Sequence, residues 1–373
     1  MTIGTSLAIC FSCVAHAQSS VTLYGTLDEG INFTSNAGGH RAYAMVSGDT
    51  FSSGFGLTGT EDLGGGMKAI FKLENGMNLN NGSNYYGRMF NQQAYVGLSS
   101  ASFGTLTFGR QYEATLDMWS LYTAAGTTIG DFAAHPFNND NADYSYRFNN
   151  SVKYRSPLFH GLEVEGIYGF SNSENFAANR AYSAAANYTL GSFSAVLAYM
   201  KQNNGGTTAT GAVSTDNVFV GSSQQNIDAG IKWSFTNGSS VAFAYSHTVV
   251  YDPTSNLYVS NIGSQSWKSW KFDNFELNGK YFIAPDLFVT GAYTYTHGKL
   301  ATGGAEFGQN WHQVSGGINY LLSKRTSVFV QSAWQHTNGK SGTGMDFAFI
   351  PGSAGASSNG NQFVARLGML HRF

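Results

Sequence analysis

From Ser20 onward, apolar and polar residues alternate with a period of two in one segment after another. In VTLYGTLDEGINF, Val21, Leu23, Leu27, Ile31 and Phe33 share one face, and Thr22, Tyr24, Thr26, Asp28 and Asn32 share the other. Glu29 interrupts the apolar face. MKAIFKLEN sets Met67, Ala69, Phe71 and Leu73 against Lys68, Lys72 and Glu74, and DLFVTGAYTYTHG sets Leu287, Val289, Tyr293 and Tyr295 against Thr290, Thr294 and Thr296. A two-residue period marks strands with one apolar and one polar side. It predicts strands at 20–33, 53–61, 66–77, 91–99, 103–111, 151–157, 161–171 and 179–190. A second set follows at 192–203, 225–236, 239–251, 270–283, 286–298, 310–322, 326–337 and 361–373, making sixteen.

The links between these strands alternate between short and long. The short ones are turn-like, as in Leu190-Gly191 and Thr236-Asn237-Gly238. The long ones are polar and rich in Gly, Asn or Ser: 34–50, 78–90, 111–150, 172–178, 204–224, 252–269, 299–309 and 338–360. An even strand number with short turns at one end and long loops at the other is the plan of an outer-membrane barrel. A Greek-key sandwich gives no reason for that segregation. In hydrocarbon every backbone N–H and C=O needs an internal partner, so the sheet must close, last strand onto first. The expected fold is all-β: a 16-stranded antiparallel transmembrane β-barrel with short periplasmic turns and long extracellular loops. A barrel this wide leaves an aqueous channel. The stretch 111–150 lacks sustained periodicity, and an irregular segment of that length between regular strands points to function. It is expected to fold into the lumen and narrow the pore.

Composition supports a barrel and removes other classes. Charged residues are 11 % of the chain, against roughly 25 % in soluble domains, while aromatics reach 15 %. The chain lacks an 18-residue apolar run, which excludes helical spans. A net charge of −2 argues against a nucleic-acid partner. Residues 1–17 read as a signal peptide, with an apolar core from Leu7 to Val14 and a cleavage site at Ala15-His16-Ala17, leaving 18–373 as the barrel domain. Neither Lys nor Arg precedes that core, so the true start is expected upstream. Cys10 and Cys13 both fall in the leader, so the mature chain has no disulfide or Cys chemistry.

Several stretches resemble the trimeric general porins of Gram-negative bacteria, especially the β-proteobacterial branch. They are AHAQSSVTLYGTLDEG, GTEDLGGGMKAIFKLENG, NQQAYVGLSSASFGTLTFGRQY, NNSVKYRSP and the terminal HRF. The resemblance implies a homotrimer embedded in outer-membrane lipids, exported through the periplasm. It implies passive diffusion of small hydrophilic solutes and ions past the third loop. It also implies that Phe373 is the signal read by the barrel-assembly machinery, and that a ladder of basic wall residues opposes the loop. Here the chain departs: Gly54, Thr58 and Gln92 stand where family members commonly carry basic residues. Arg110, Arg147, Lys68, Lys72, Lys153 and Arg155 remain for the basic wall, with Arg88 just outside the fourth strand. Glu113, Asp117 and Asp131 supply the acidic loop side, with Asp140 and Asp143 towards its exit. Opposed charges in a narrow wet passage select by electrostatics and size. With the ladder thinned, ion selectivity is expected to be weak, tilted if at all towards cations.

Other candidates weigh less. Tyr24 and other aromatics near strand ends fit an interface girdle or lumen wall, and Tyr85 and Tyr86 fit either a latch onto a neighbouring subunit or a plain loop. The run from Asn138 to Asp143 has oxygen ligands suited to Ca²⁺ but lacks the spacing and Gly of a calcium loop, so a solvated loop is the simpler reading. The histidines are scattered, so neither a metal site nor a cofactor is expected. An enzyme is not expected either: Ser246 and His247 are adjacent on a strand and point to opposite faces. The competing readings are a specific-solute channel, an adhesin and a barrel hydrolase.

Overall fold

The computed structural model describes residues 20–214 and 216–373, so the expected leader lies outside the described residues. Its 16 strands form one closed antiparallel barrel. The first eight are β1 (Ser20–Ala37), β2 in two pieces (His40–Ser47 and Gly54–Gly64), β3 (Met67–Gly76), β4 (Gln93–Ser100), β5 (Gly104–Gln111), β6 (Phe148–Arg155), β7 (Leu162–Gly169) and β8 (Ala181–Leu190). The rest are β9 (Phe193–Asn203), β10 (Ser223–Ser234), β11 (Ser240–Tyr251), β12 (Trp267–Ala284), β13 (Leu287–Thr302), β14 (Glu306–Leu321), β15 (Thr326–Thr337) and β16 (Asn361–Arg372). Both pieces of β2 pair with β1, so they act as one barrel strand with a break.

Closure runs from Thr26 opposite Arg372 to Thr34 opposite Val364. The Phe373 N–H donates to the Gly25 carbonyl and the Gly25 N–H to the Phe373 carbonyl, both at 3.1 Å. A Cβ on Gly25 would fall 2.4 Å from the Phe373 ring, so the seam needs glycine there. Inside the seam, Arg366 donates to Asp28 at 2.8 Å and Asn32 at 2.9 Å, tying β16 to β1. Closure leaves no strand edge to meet lipid.

The alternation resolves into two environments. Leu197, Leu277 and Leu367 face outward, 58–67 % exposed, as lipid-facing side chains do. The opposite positions are buried and mostly polar, among them Asn274, Gln313, Gln331 and Gln335. One group departs from this: Ala185, Ala198, Ala244, Ala292 and Ala333 point inward and pack with Trp119, Ile129 and Phe132 of the third loop.

Two expected long links are in fact tight. Gly38 and Gly39, at φ +61° and +100°, turn β1 directly into β2, and the strand continues to Ser47. The polar and Gly-rich flanks of 34–50 concealed a strand whose outward positions are Tyr43 and Met45. Likewise β13 reaches Thr302 and β14 begins at Glu306, so most of 299–309 is ladder. The remaining irregularity near β2 is the break at 48–53. There Thr50 and Phe51 donate their N–H groups to Asp28 Oδ2 at 2.7 and 2.9 Å.

Candidate functional site

The third loop, 112–147, lies inside the barrel as a chain of short helical turns. Irregular backbone at membrane depth survives only where something satisfies it. Here the wall does so. Gln313 donates to the carbonyls of Phe132 and Ala134 at 3.2 and 3.1 Å, Gln331 to that of Thr128 at 3.2 Å, and the Trp119 indole to that of Ala229 at 3.0 Å. At the tip, the Asp131 N–H reaches the Asp49 carbonyl at 2.8 Å, so the loop spans from one wall to the break in β2. Gly130 makes that approach possible, because a Cβ there would sit 2.1 Å from the Asp49 oxygen.

A buried ion network fixes the loop's far side. His135 lies 2.5 Å from Asp140 and 3.0 Å from Glu276 of β12, with every partner fully enclosed. Burial alone would lower the imidazole, but the two carboxylates outweigh it and lift His135 to about 10. Burial opposes the Asp140 charge, yet His135 and the Ser246 hydroxyl hold it below the usual carboxylate range. Asn139 and Asn274 close the knot at 2.9 Å. The run from Asn138 to Asp143 is therefore not a solvated loop: Asn138 to Ala142 are buried as a tether. Ser246 faces this knot, while His247 faces outward onto Asp273 at 2.7 Å, so the two form no nucleophile–base pair.

Between the loop and the wall from β1 to β3 runs a cavity of about 450 Å³. Asp131 and Asp143 of the loop line it, together with Asp49 at the break in β2 and Glu74 on β3. The lining itself holds one cation, Arg147, while Arg366 pairs with Asp49 from behind at 3.3 Å. The Arg147 guanidinium lies over Tyr112, 5.0 Å from the ring centroid, and donates to the Tyr144 carbonyl at 2.7 Å and to Gln92. Glu74 accepts from the Tyr24 hydroxyl at 2.6 Å and pairs with Lys72 at 3.0 Å. Burial, then the charge of Asp143, holds Asp131 well above the usual carboxylate range; burial and Asp131 do the same to Asp49. Burial lifts Asp143 to about 6.

The sequence candidates separate on this geometry. Asp131 and Arg147 line the cavity. Glu113 does not: it is fully buried, and its carboxylate accepts from Thr115 N at 2.6 Å, Leu116 N at 3.0 Å and the Ser183 hydroxyl at 2.8 Å. It caps a loop turn and pins it to β8. Asp117 faces a second cavity, of about 320 Å³, towards the short-turn end, and pairs with Lys153. Arg155 is held by Glu163 at 2.7 Å, and Arg110 by Asp216 of the fifth loop at 2.6 Å. Lys68 is exposed near the short turn into β3. Gly54 and Gln92 line the cavity as neutral positions. A Cβ at Gly54 would meet the Asn75 carbonyl at 2.1 Å, so no basic side chain fits there without moving the strand. Thr58 spends its hydroxyl on the Phe71 carbonyl at 3.2 Å.

Asp49 and Tyr258 escaped the sequence reading, which sets Glu74 on the polar face of its strand without naming it for the pore. Asp49 and Tyr258 reach the lumen through a strand break and a distant loop, which no local pattern announces. Tyr85 and Tyr86 line this chain's own cavity, and Tyr86 stays exposed.

A lipid-facing outer wall, a polar lumen and an inward loop define an outer-membrane pore barrel. The profile of the Gram-negative porin family matches residues 4–340, and the chain belongs to that family. It is 32 % identical over 238 residues to an outer membrane porin protein of Bordetella pertussis, covering 57 % of this chain and 61 % of the relative, under two thirds of that relative's length. It is 28 % identical over 332 residues to major outer membrane protein P.IB of Neisseria meningitidis serogroup B, covering 85 % of this chain and 88 % of that protein. Among solved structures, an anion-selective porin from Comamonas acidovorans superposes with a TM-score of 0.72 over 95 % of this chain and 100 % of that one, at 24 % identity, a likeness of fold.

Proposed function

We propose that the barrel is a passive, water-filled channel for small hydrophilic solutes and ions, narrowed where the third loop meets the break in β2, and that it weakly prefers cations. The observation that carries the preference is the lining of the 450 Å³ cavity: Asp131 and Asp143 face it with no ion pair among the described residues, beside Asp49 paired with Arg366, Glu74 paired with Lys72, and one lining guanidinium, Arg147, whose terminal nitrogens are held by Tyr144, Ser145 and Gln92. Charges on a narrow, poorly hydrated passage bias the ions that cross it. The basic positions that would oppose this are neutral in this chain, at Gly54, Thr58 and Gln92. Purified protein in a planar bilayer should give discrete conductance steps. In a KCl gradient the reversal potential should take the sign of a cation-preferring pore, and a strong anion preference would refute the reading.

The assembly we propose is a homotrimer joined along the β1 side. Glu29 supports this: it points outward midway along β1, opposite Met369, where lipid would be a poor surrounding for a carboxylate and a neighbouring subunit a better one. The unheated protein should migrate on a detergent gel as a trimer and shift on boiling. A species of monomer size without heating, in mild detergent, would refute it.

A further inference from the structure

The same cavity is also a cage of aromatic rings. Tyr24, Tyr85, Tyr86, Tyr112, Tyr144 and Tyr258 all line it. Three of its ring faces already carry the protein's own cations. Lys72 Nζ lies 5.4 Å from the Tyr24 centroid, the Arg147 guanidinium 5.0 Å from Tyr112, and the Arg372 guanidinium 4.8 Å from Phe51, which also lines the cavity. An aromatic face attracts a cation within about 6 Å, and most strongly a poorly hydrated one. Tyr85, Tyr86, Tyr144 and Tyr258 carry none of these cations, though Tyr258 tilts onto Phe349 at 5.1 Å and Tyr144 meets Tyr112 edge-on at 5.4 Å, so Tyr85 and Tyr86 offer the most open rings. Each lies within electrostatic reach of the aspartates: Tyr85, Tyr86 and Tyr258 of Asp131, and Tyr144 of Asp143.

We infer that this cavity is a weak binding site for small organic cations of the alkylammonium class, held by the faces of Tyr85, Tyr86, Tyr144 and Tyr258 above Asp131 and Asp143. The inference rests on the channel reading, since the ligand must enter through the lumen. It goes further in distinguishing among cations. A hydrated metal ion keeps its water and gains little from the rings. An alkylammonium has little water to lose and offers methyl groups to pack against them. An anion meets the carboxyls of Asp131 and Asp143 and an Arg147 guanidinium whose terminal nitrogens are held by Tyr144, Ser145 and Gln92. The volume of about 450 Å³ holds a cation of choline size with water beside it.

The test uses the full mature chain in planar bilayers in KCl, with choline as probe and 3,3-dimethylbutan-1-ol, its uncharged carbon isostere, as control. Choline should reduce the open-channel current with saturation, and the isostere at equal concentration should not. Tyr258→Phe keeps the ring and should keep the block. Tyr258→Leu should raise the half-blocking concentration about three- to fivefold, the worth of one ring face. Tyr86→Leu is a second, independent removal should Tyr258→Leu fail to assemble, as judged by the heat shift on a gel. Equal block by the isostere would overturn the inference, as would block that survives loss of both rings. An absence of conductance steps would instead overturn the channel reading, so the two failures are told apart.

Discussion

An imidazolium held between two buried carboxylates cannot be removed without stranding both. At His135 the charge persists across the physiological range, because Asp140 and Glu276 lift it to about 10 against the pull of burial. His135→Leu should therefore cost about 3–5 kcal/mol locally, the usual penalty for breaking a buried pair from one side. That cost should fall on the loop and not on the barrel, whose ladders do not involve His135. The expected result is a larger, noisier single-channel conductance with an unchanged heat shift on a gel. Adding Glu276→Gln should recover part of the loss, since one stranded charge is removed. Independent, additive effects of the two changes would show that the network does not hold the loop. Gly130 is the other single residue on which the passage depends. Its φ of +69° is disfavoured for a side chain, and a Cβ would strike the Asp49 carbonyl at 2.1 Å. Gly130→Ala should cost about 1–3 kcal/mol in strain at the tip. Hydrogen exchange at the Asp131 amide should quicken, and unchanged protection would rule this out.

At the scale of the element, the third loop fits because the wall behind it is small. Ala185, Ala198, Ala244, Ala292 and Ala333 occupy inward positions that would otherwise carry polar side chains, and Trp119 and Phe132 fill the space they leave. Ala244→Leu should push the loop off that wall, at about 1–3 kcal/mol of overpacking, and lower the conductance by narrowing the opposite passage. An unchanged conductance would mean that the loop repacks without moving. These alanines show how much of the site was readable beforehand. The strand count and the inward loop followed from the period of two and from one long aperiodic stretch. The alanines themselves were not singled out, although apolar residues on a face that should be wet are the signal that marks where the loop docks. His40–Ser47 was missed because Ala42, Ala44 and Val46 beside its outward Tyr43 and Met45 make a short apolar run without the two-residue alternation, flanked by polar and Gly residues. Glu113, Asp117 and Asp131 could not be told apart, because the difference is tertiary. Glu113 finds two turn amides and Ser183, Asp117 finds Lys153, and only Asp131 is left facing the cavity.

For the whole molecule the remaining question is how its charges act together on a passing ion. Asp49, Asp131 and Asp143 crowd one end of the cavity, and all three are shifted upward, Asp143 to about 6. A carboxyl with a raised pKa is neutral below that value and negative above it. Raising the pH from about 5 to about 7.5 therefore adds negative charge to the passage, in the window where ordinary exposed carboxylates have already ionised. Cation preference, read as the reversal potential in a KCl gradient, should grow over that interval. Asp143→Asn should flatten the growth while leaving the conductance steps in place. The effect should be clearest near 0.1 M salt, where screening reaches about 10 Å, and fade near 1 M, where it reaches about 3 Å. A preference that stays flat or falls as pH rises would mean that the aspartate cluster does not face the ion path. The selectivity would then lie with Glu74 and the wall of β3 on the other side of the cavity.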